Sequence, residues 1–159
     1  MRIRSALAAS LITMVAVLGV VRVGAQDATP PSSPTTMTMV EHADRVTSLD
    51  NGGPGPSVGD VIVWGPDPLF DEADRTDTGA TSQGTCVTFG DDGACMLNET
   101  ILFSDGSTIE LYGIQAGGSA PSTRTIIGGS GTYRGATGSV TVTPSADLTT
   151  FTKTFELYQ

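Results

Sequence analysis

Residues 128–142 read GGSGTYRGATGSVTV, with five glycines in the first eleven positions and then Ser139-Val140-Thr141-Val142 in strict alternation. Two physical readings compete for such a run. Backbone amides of a glycine-rich loop cradle phosphate when they lead from a strand into a helix N-terminus, usually with a Lys and a Ser or Thr at hand. Here the glycines lead into a segment with a period of two, which belongs to a strand. The glycines are therefore read as supplying positive φ and sharp bends at a joint between strands, with Tyr133 and Arg134 at the connection.

The rest of the chain has the same texture. No long amphipathic helix is visible. Short β-type runs alternate with clusters of Gly, Pro, Asp and Asn, which is the pattern of an all-β barrel or sandwich. Eight strands are expected, at 37–47, 59–65, 81–89, 94–103, 107–114, 122–128, 137–143 and 148–158. Ser104-Asp105-Gly106-Ser107 places Asp-Gly at the centre of a tight hairpin, and Phe89 to Gly93 offers a second one. Eight strands joined by short turns suggest an all-β, eight-stranded antiparallel up-and-down barrel, whose interior either fills with side chains or holds one small ligand. A sandwich of seven or eight strands is the structural rival.

The 159 residues carry 8 basic and 17 acidic side chains. Residues 1–25 have Arg2 and Arg4, an apolar run from Ala6 to Val21, and the small-x-small end Val23-Gly24-Ala25. That is the grammar of a secretory signal cut after Ala25, and a run of about 16 apolar residues is short for spanning a bilayer. Removing it takes Arg2, Arg4 and Arg22 and leaves a net charge near −12. Such a balance argues against nucleic acid as a partner and against adhesion to anionic membranes. Residues 26–38, rich in Pro, Ser and Thr, read as a flexible tether, and 39–159 as the barrel domain. The expected location is extracellular, with no stable membrane insertion after signal cleavage.

Two cysteines, Cys86 and Cys95, make an even count, which in a secreted chain favours a disulfide. Pairing them across a Gly90-Asp91 turn sets Ser82 opposite Glu99. A two-residue turn at Asp105-Gly106 then sets Tyr112 beside Glu99 and Glu110 beside Ile101. Glu41 lies at a period-2 position of the first strand, from which it can project inward. The single histidine, His42, has no Cys or His at metal-ligand spacing, so no metal site and no cofactor is expected. The two acid-rich segments 50–60 and 66–79 read as surface loops, and the spacing of their carboxylates matches no EF-hand.

The order of motifs carries more than any one of them. GD at 59–60, LFD at 69–71, GTCV at 84–87, IELYG at 109–113, IIGGSGTYRGATGSVTV at 126–142 and FTKTFELY at 151–158 succeed one another along the chain. This succession resembles the allene oxide cyclase and dirigent-protein superfamily, particularly its bacterial secreted members. The resemblance implies an eight-stranded barrel, a homotrimer, and an apolar cavity that binds a small hydrophobic molecule. Plant members guide ring closure of an unsaturated fatty-acid epoxide or steer the coupling of phenolic radicals, mainly by holding the substrate in one conformation. An enzyme of this kind would be an isomerase or cyclase. Glu41 matches the first-strand glutamate of the plant cyclases, and Cys86 the cysteine of their G-x-C-V strand. Ala43 stands where those enzymes have an asparagine, Ser48-Leu49 lacks their Ser-Pro pair, and Pro66 falls near the position of a second asparagine. The candidate cavity residues are Glu41, Trp64, Cys86, Glu99 and Tyr112. The rival reading is a non-catalytic extracellular module whose barrel is filled by its own side chains.

Overall fold

The computed structural model describes residues 33–159; the signal segment and residues 26–32 of the tether lie outside the described residues. Nine strands run in order: β1 Thr35–His42, β2 Val46–Leu49, β3 Val61–Phe70, β4 Asp77–Thr88, β5 Cys95–Leu102, β6 Thr108–Gln115, β7 Ser122–Ser130, β8 Thr137–Pro144 and β9 Thr150–Tyr158. Every neighbouring pair is antiparallel, in the order β1-β9-β8-β7-β6-β5-β4-β3-β2. β1 also pairs with β3. Eight strands, β1 and β3 to β9, thus close into a barrel, and β2 is an extra strand laid along β3. β1 begins at Thr35, opposite Leu157 of β9, so the barrel takes up residues 35–38 of the segment read as a tether.

The strand expected at 37–47 is broken in two, and the break has a local cause. Val40 and Glu41 face Phe70 and Leu69 of β3, and Val46 to Leu49 face Trp64 to Val61 in the same register. The interruption lies opposite Gly65-Pro66-Asp67. Pro66 has no N–H to give a ladder, and Asp67 instead accepts the backbone N–H of Arg45 at 2.8 Å through its carboxylate. The expectation of a loop over 66–79 is corrected by the same segment. β3 runs on to Phe70 and β4 starts at Asp77, because Asp67 and Leu69 turn inward and are fully buried.

The glycine-rich run ends β7, forms a single 3-10 turn over Gly131–Tyr133, and enters β8 at Thr137. No phosphate loop is formed. The Thr132 amide donates to Ser107 Oγ at 3.0 Å, which ties this rim to the β5–β6 turn. Phe103 and Tyr133, with ring centroids 4.5 Å apart, cover that end of the barrel.

The two hairpins depart from expectation in different ways. In the β4–β5 hairpin, Cys86 lies opposite Leu97, and Thr88 opposite Cys95. The register is shifted by two residues from the expected one, so each side chain keeps its face, and Cys86 and Cys95 still join in a disulfide. In the β5–β6 hairpin, Gly106 donates to the Phe103 carbonyl at 2.9 Å and adopts φ +83°. The connection has three residues and ends on a left-handed glycine, one residue longer than the expected two-residue turn. An odd slip reverses faces. Leu111 rather than Tyr112 stands opposite Glu99, and Ile109 rather than Glu110 opposite Ile101.

Candidate functional site

Inside the barrel, six strands change character within two residues. Met39, Leu69, Ala80, Ile101, Ile126 and Phe155 belong to one packed apolar cluster. The next inward position on each of these strands is polar: Glu41, Asp67, Ser82, Glu99, Arg124 and Lys153, all buried. Beyond this layer the interior is open. A cavity of about 240 Å³ is lined by apolar groups of Ile62, Trp64, Leu97 and Phe151, by the Cys86–Cys95 pair, and by Glu41, Asp67, Arg124 and Lys153 at its floor. Ala43, Val46 and Leu148 also line it.

Two glycines make room for the wide side chains. A Cβ on Gly84 would lie 2.5 Å from the Trp64 ring, so the indole rests over bare backbone. Trp64 Nε1–H donates to Ser82 Oγ at 3.1 Å, and Ser82 Oγ–H donates to Glu99 at 2.7 Å. Gly113 sits against the Cβ and Cγ of Arg124 in the same way.

Electrostatically the floor is asymmetric. Glu99 pairs with both Arg124 and Lys153, and Lys153 also reaches Glu41 at 2.6 Å. Arg124 further donates to Gln115. Burial works against the Glu99 carboxylate, but Lys153 and Arg124 together overcome it and hold its pKa far below the ordinary range, at about 2. Glu41 goes the other way: burial raises its pKa, the charge of Glu99 adds to the rise, and Lys153 only partly offsets both. Burial also raises Asp67, against the hydrogen bond it accepts from Arg45. Two neighbouring carboxyl groups pushed apart in acidity, one fixed as an anion and one able to carry a proton, form a pattern suited to acid–base work.

Of the residues singled out from the sequence, Glu41, Trp64 and Cys86 line the cavity, and Glu99 anchors the charged layer beneath it. Tyr112 stands apart. The slipped β5–β6 register puts it on the outer wall, 40% exposed, with its hydroxyl on the Met96 sulfur. His42 also points away from the interior, hydrogen-bonded to Asp74 at 2.7 Å and stacked on Phe70. Sequence reasoning misses Lys153, Arg124 and Asp67, and places Ser82 opposite Glu99 without assigning it to the site. Lys153 and Arg124 do leave a signal: each shares the inward phase of its strand with apolar residues, Phe151 and Phe155 for one and Ile126 for the other.

The profile of the dirigent-like proteins matches residues 25–158. This chain belongs to that family. Among solved structures, the dirigent-like barrel is similar to one described as pyocyanin demethylase, with 26% identity, a TM-score of 0.66, and coverage of 77% of this chain and 99% of the other. The pterocarpan synthase dirigent protein PsPTS1 is 19% identical, with a TM-score of 0.63 over 80% of this chain and 95% of that one. The Diels Alderase AbmU from Streptomyces koyangensis is 17% identical, with a TM-score of 0.60 over 79% and 69%. The last two likenesses are of fold. No curated protein matches the sequence.

Proposed function

We propose that this dirigent-like barrel binds a small, mainly apolar molecule in its open half and directs its reaction by holding one conformation. The observation that carries the reading is the cavity itself, about 240 Å³ with apolar walls over a charged floor. Ligand sites are built this way, with much apolar surface and a few convergent polar groups. The reactions that suit the site are cyclisation, isomerisation or stereoselective coupling, in which positioning in a water-poor pocket does most of the work. Glu41 is assigned the proton-carrying role, and Lys153 steadies negative charge that develops beside it. The Cys86–Cys95 disulfide supports a protein that works outside the reducing cytoplasm.

Trp64 is the only tryptophan in the chain, so its emission reports on the cavity wall. Neutral naphthalene-sized probes are expected to change it saturably, and Ala43→Phe, which narrows the cavity, to weaken that response. Native mass spectrometry of freshly purified protein checks for a retained small molecule. Neither a retained ligand nor a saturable response would leave the filled-module reading in its place.

The outer wall supports a proposal about assembly. Leu49, Val61, Val87, Met96 and Ile114 form one row across five adjacent strands, and Leu49, Val87, Met96 and Ile114 are 46–60% exposed. A continuous apolar row is costly to leave in water. We assign it to contact with further copies of the chain, in the trimer that the family resemblance implies.

A further inference from the structure

Five charged side chains are buried among the described residues: Glu41, Asp67 and Glu99 against Arg124 and Lys153. Three acids meet two bases. Glu99 takes both cations, and Glu41 shares Lys153. Among the described residues, Asp67 has no ion pair within 4 Å. Its Oδ1 accepts the Arg45 backbone N–H, whereas its Oδ2, fully buried, meets no donor. An uncompensated buried carboxylate is expensive, and so is a buried acceptor with nothing to accept. Both deficits fall on one residue of the cavity wall. Arg124 Nε is likewise without a partner, but the charge of that guanidinium is already spent on Glu99.

We propose that the cavity selects a flat apolar ligand carrying a positively charged nitrogen, and that Asp67 receives the charge. The proposal rests on the reading of the cavity as a ligand site and adds the ligand's charge class. Trp64, held by Ser82 on the same wall, suits such a ligand because an indole face attracts a cation more than other side-chain rings do. A neutral ligand leaves the charge deficit in place, and an anionic one enlarges it. A cation removes it without disturbing Lys153, which stays between Glu41 and Glu99. The groups around Asp67 are Glu41 from β1, which lines the same cavity, Asp44 and Arg45 from the β1–β2 link, Ser82 from β4 and Lys153 from β9. Burial raises both Asp67 and Glu41, so the empty cavity retains a proton more readily than ordinary carboxylates do. Where pH is low enough for Asp67 to hold a proton, entry of a cation releases it.

The test compares N-methylquinolinium with 1-methylnaphthalene, which has the same shape and no charge. Calorimetric titration of each into the full-length mature protein at pH 8 is expected to show the cation at least tenfold tighter. Repeating it at lower pH, where Asp67 begins to hold a proton, in two buffers of different ionisation enthalpy is expected to reveal proton release for the cation only. In Asp67→Asn the tenfold preference should vanish while the affinity for 1-methylnaphthalene persists. Should that variant fold poorly, the preference in the unaltered protein should shrink as pH is lowered into the range where Asp67 protonates. Equal or tighter binding of the neutral probe, or a preference independent of both Asp67 and pH, overturns the inference while the cavity reading survives. Failure of both probes to bind removes the two together.

Discussion

Lys153 lies in FTKTFELY between two inward phenylalanines, a place where a strand facing a simple apolar core would carry a third hydrophobe. Its ammonium group is fully buried between Glu41 and Glu99. Removing one partner of a buried ionic cluster costs more than the cluster contributes, because charge is left behind without compensation. Lys153→Met is expected to destabilise the barrel by about 3–5 kcal/mol in urea unfolding. Adding Glu99→Gln should restore part of that loss. The two glutamates also give stability a definite pH profile. Glu99 titrates near 2 when folded against an ordinary value of 4.5, so its contribution is complete above the ordinary value and is lost as pH falls through about 2. Glu41 is raised, so its contribution is present below the ordinary value and shrinks as pH rises through its folded value. Stability should therefore climb between about pH 2 and 4.5 and then decline. Asp67, also raised, adds to the decline, so Glu41→Gln should reduce it, and an unaltered profile in that variant would remove Glu41 as a cause.

At the level of strands and turns, the glycines between β7 and β8 act through backbone geometry. Gly131 has φ +57°, and a Cβ there would lie 2.5 Å from Ser107 Oγ; Gly135 has φ +78° with open space around it. Gly131→Val is expected to cost about 1–3 kcal/mol and more than Gly135→Val, which meets backbone strain alone. Thermal unfolding of the two variants checks the order. The strands are legible in the sequence because period-2 patterning and turn residues mark them directly. Their phase across a turn is not, since one added residue at Ser104-Asp105-Gly106 reverses every side chain of β6, and the dipeptide Asp-Gly serves turns of both lengths. For that reason the sequence points Tyr112 inward, where the structure has Leu111. Asp67 is hidden for another reason: its flanking prolines suggest a loop, yet they occupy ladder positions where the opposing strand is interrupted and no N–H is required. Glu41, Trp64 and Cys86 can be found because resemblance or strand phase points to them. Arg124 and Lys153 escape notice because a cation on an apolar face is ordinarily an outward residue.

On the scale of the whole molecule, the apolar row from Leu49 to Ile114 makes assembly measurable. Met96→Asp puts a charge within that row without touching the interior, so it should leave the fold intact and convert an associated protein to monomers in sedimentation velocity. An unaltered chain that sediments as a monomer at all concentrations would end the assignment of the row to self-contact. The charged layer has a consequence of its own. It divides the barrel into a sealed compartment, whose contents hold the strands together, and an open one, part of whose lining is free of that duty. Selection can therefore rewrite Val46 or Leu148, which line the cavity yet stay exposed, at little cost to folding, whereas Ile101 and Phe155 are fixed by it. A barrel divided in this way can change its cargo over evolutionary time while remaining the same container.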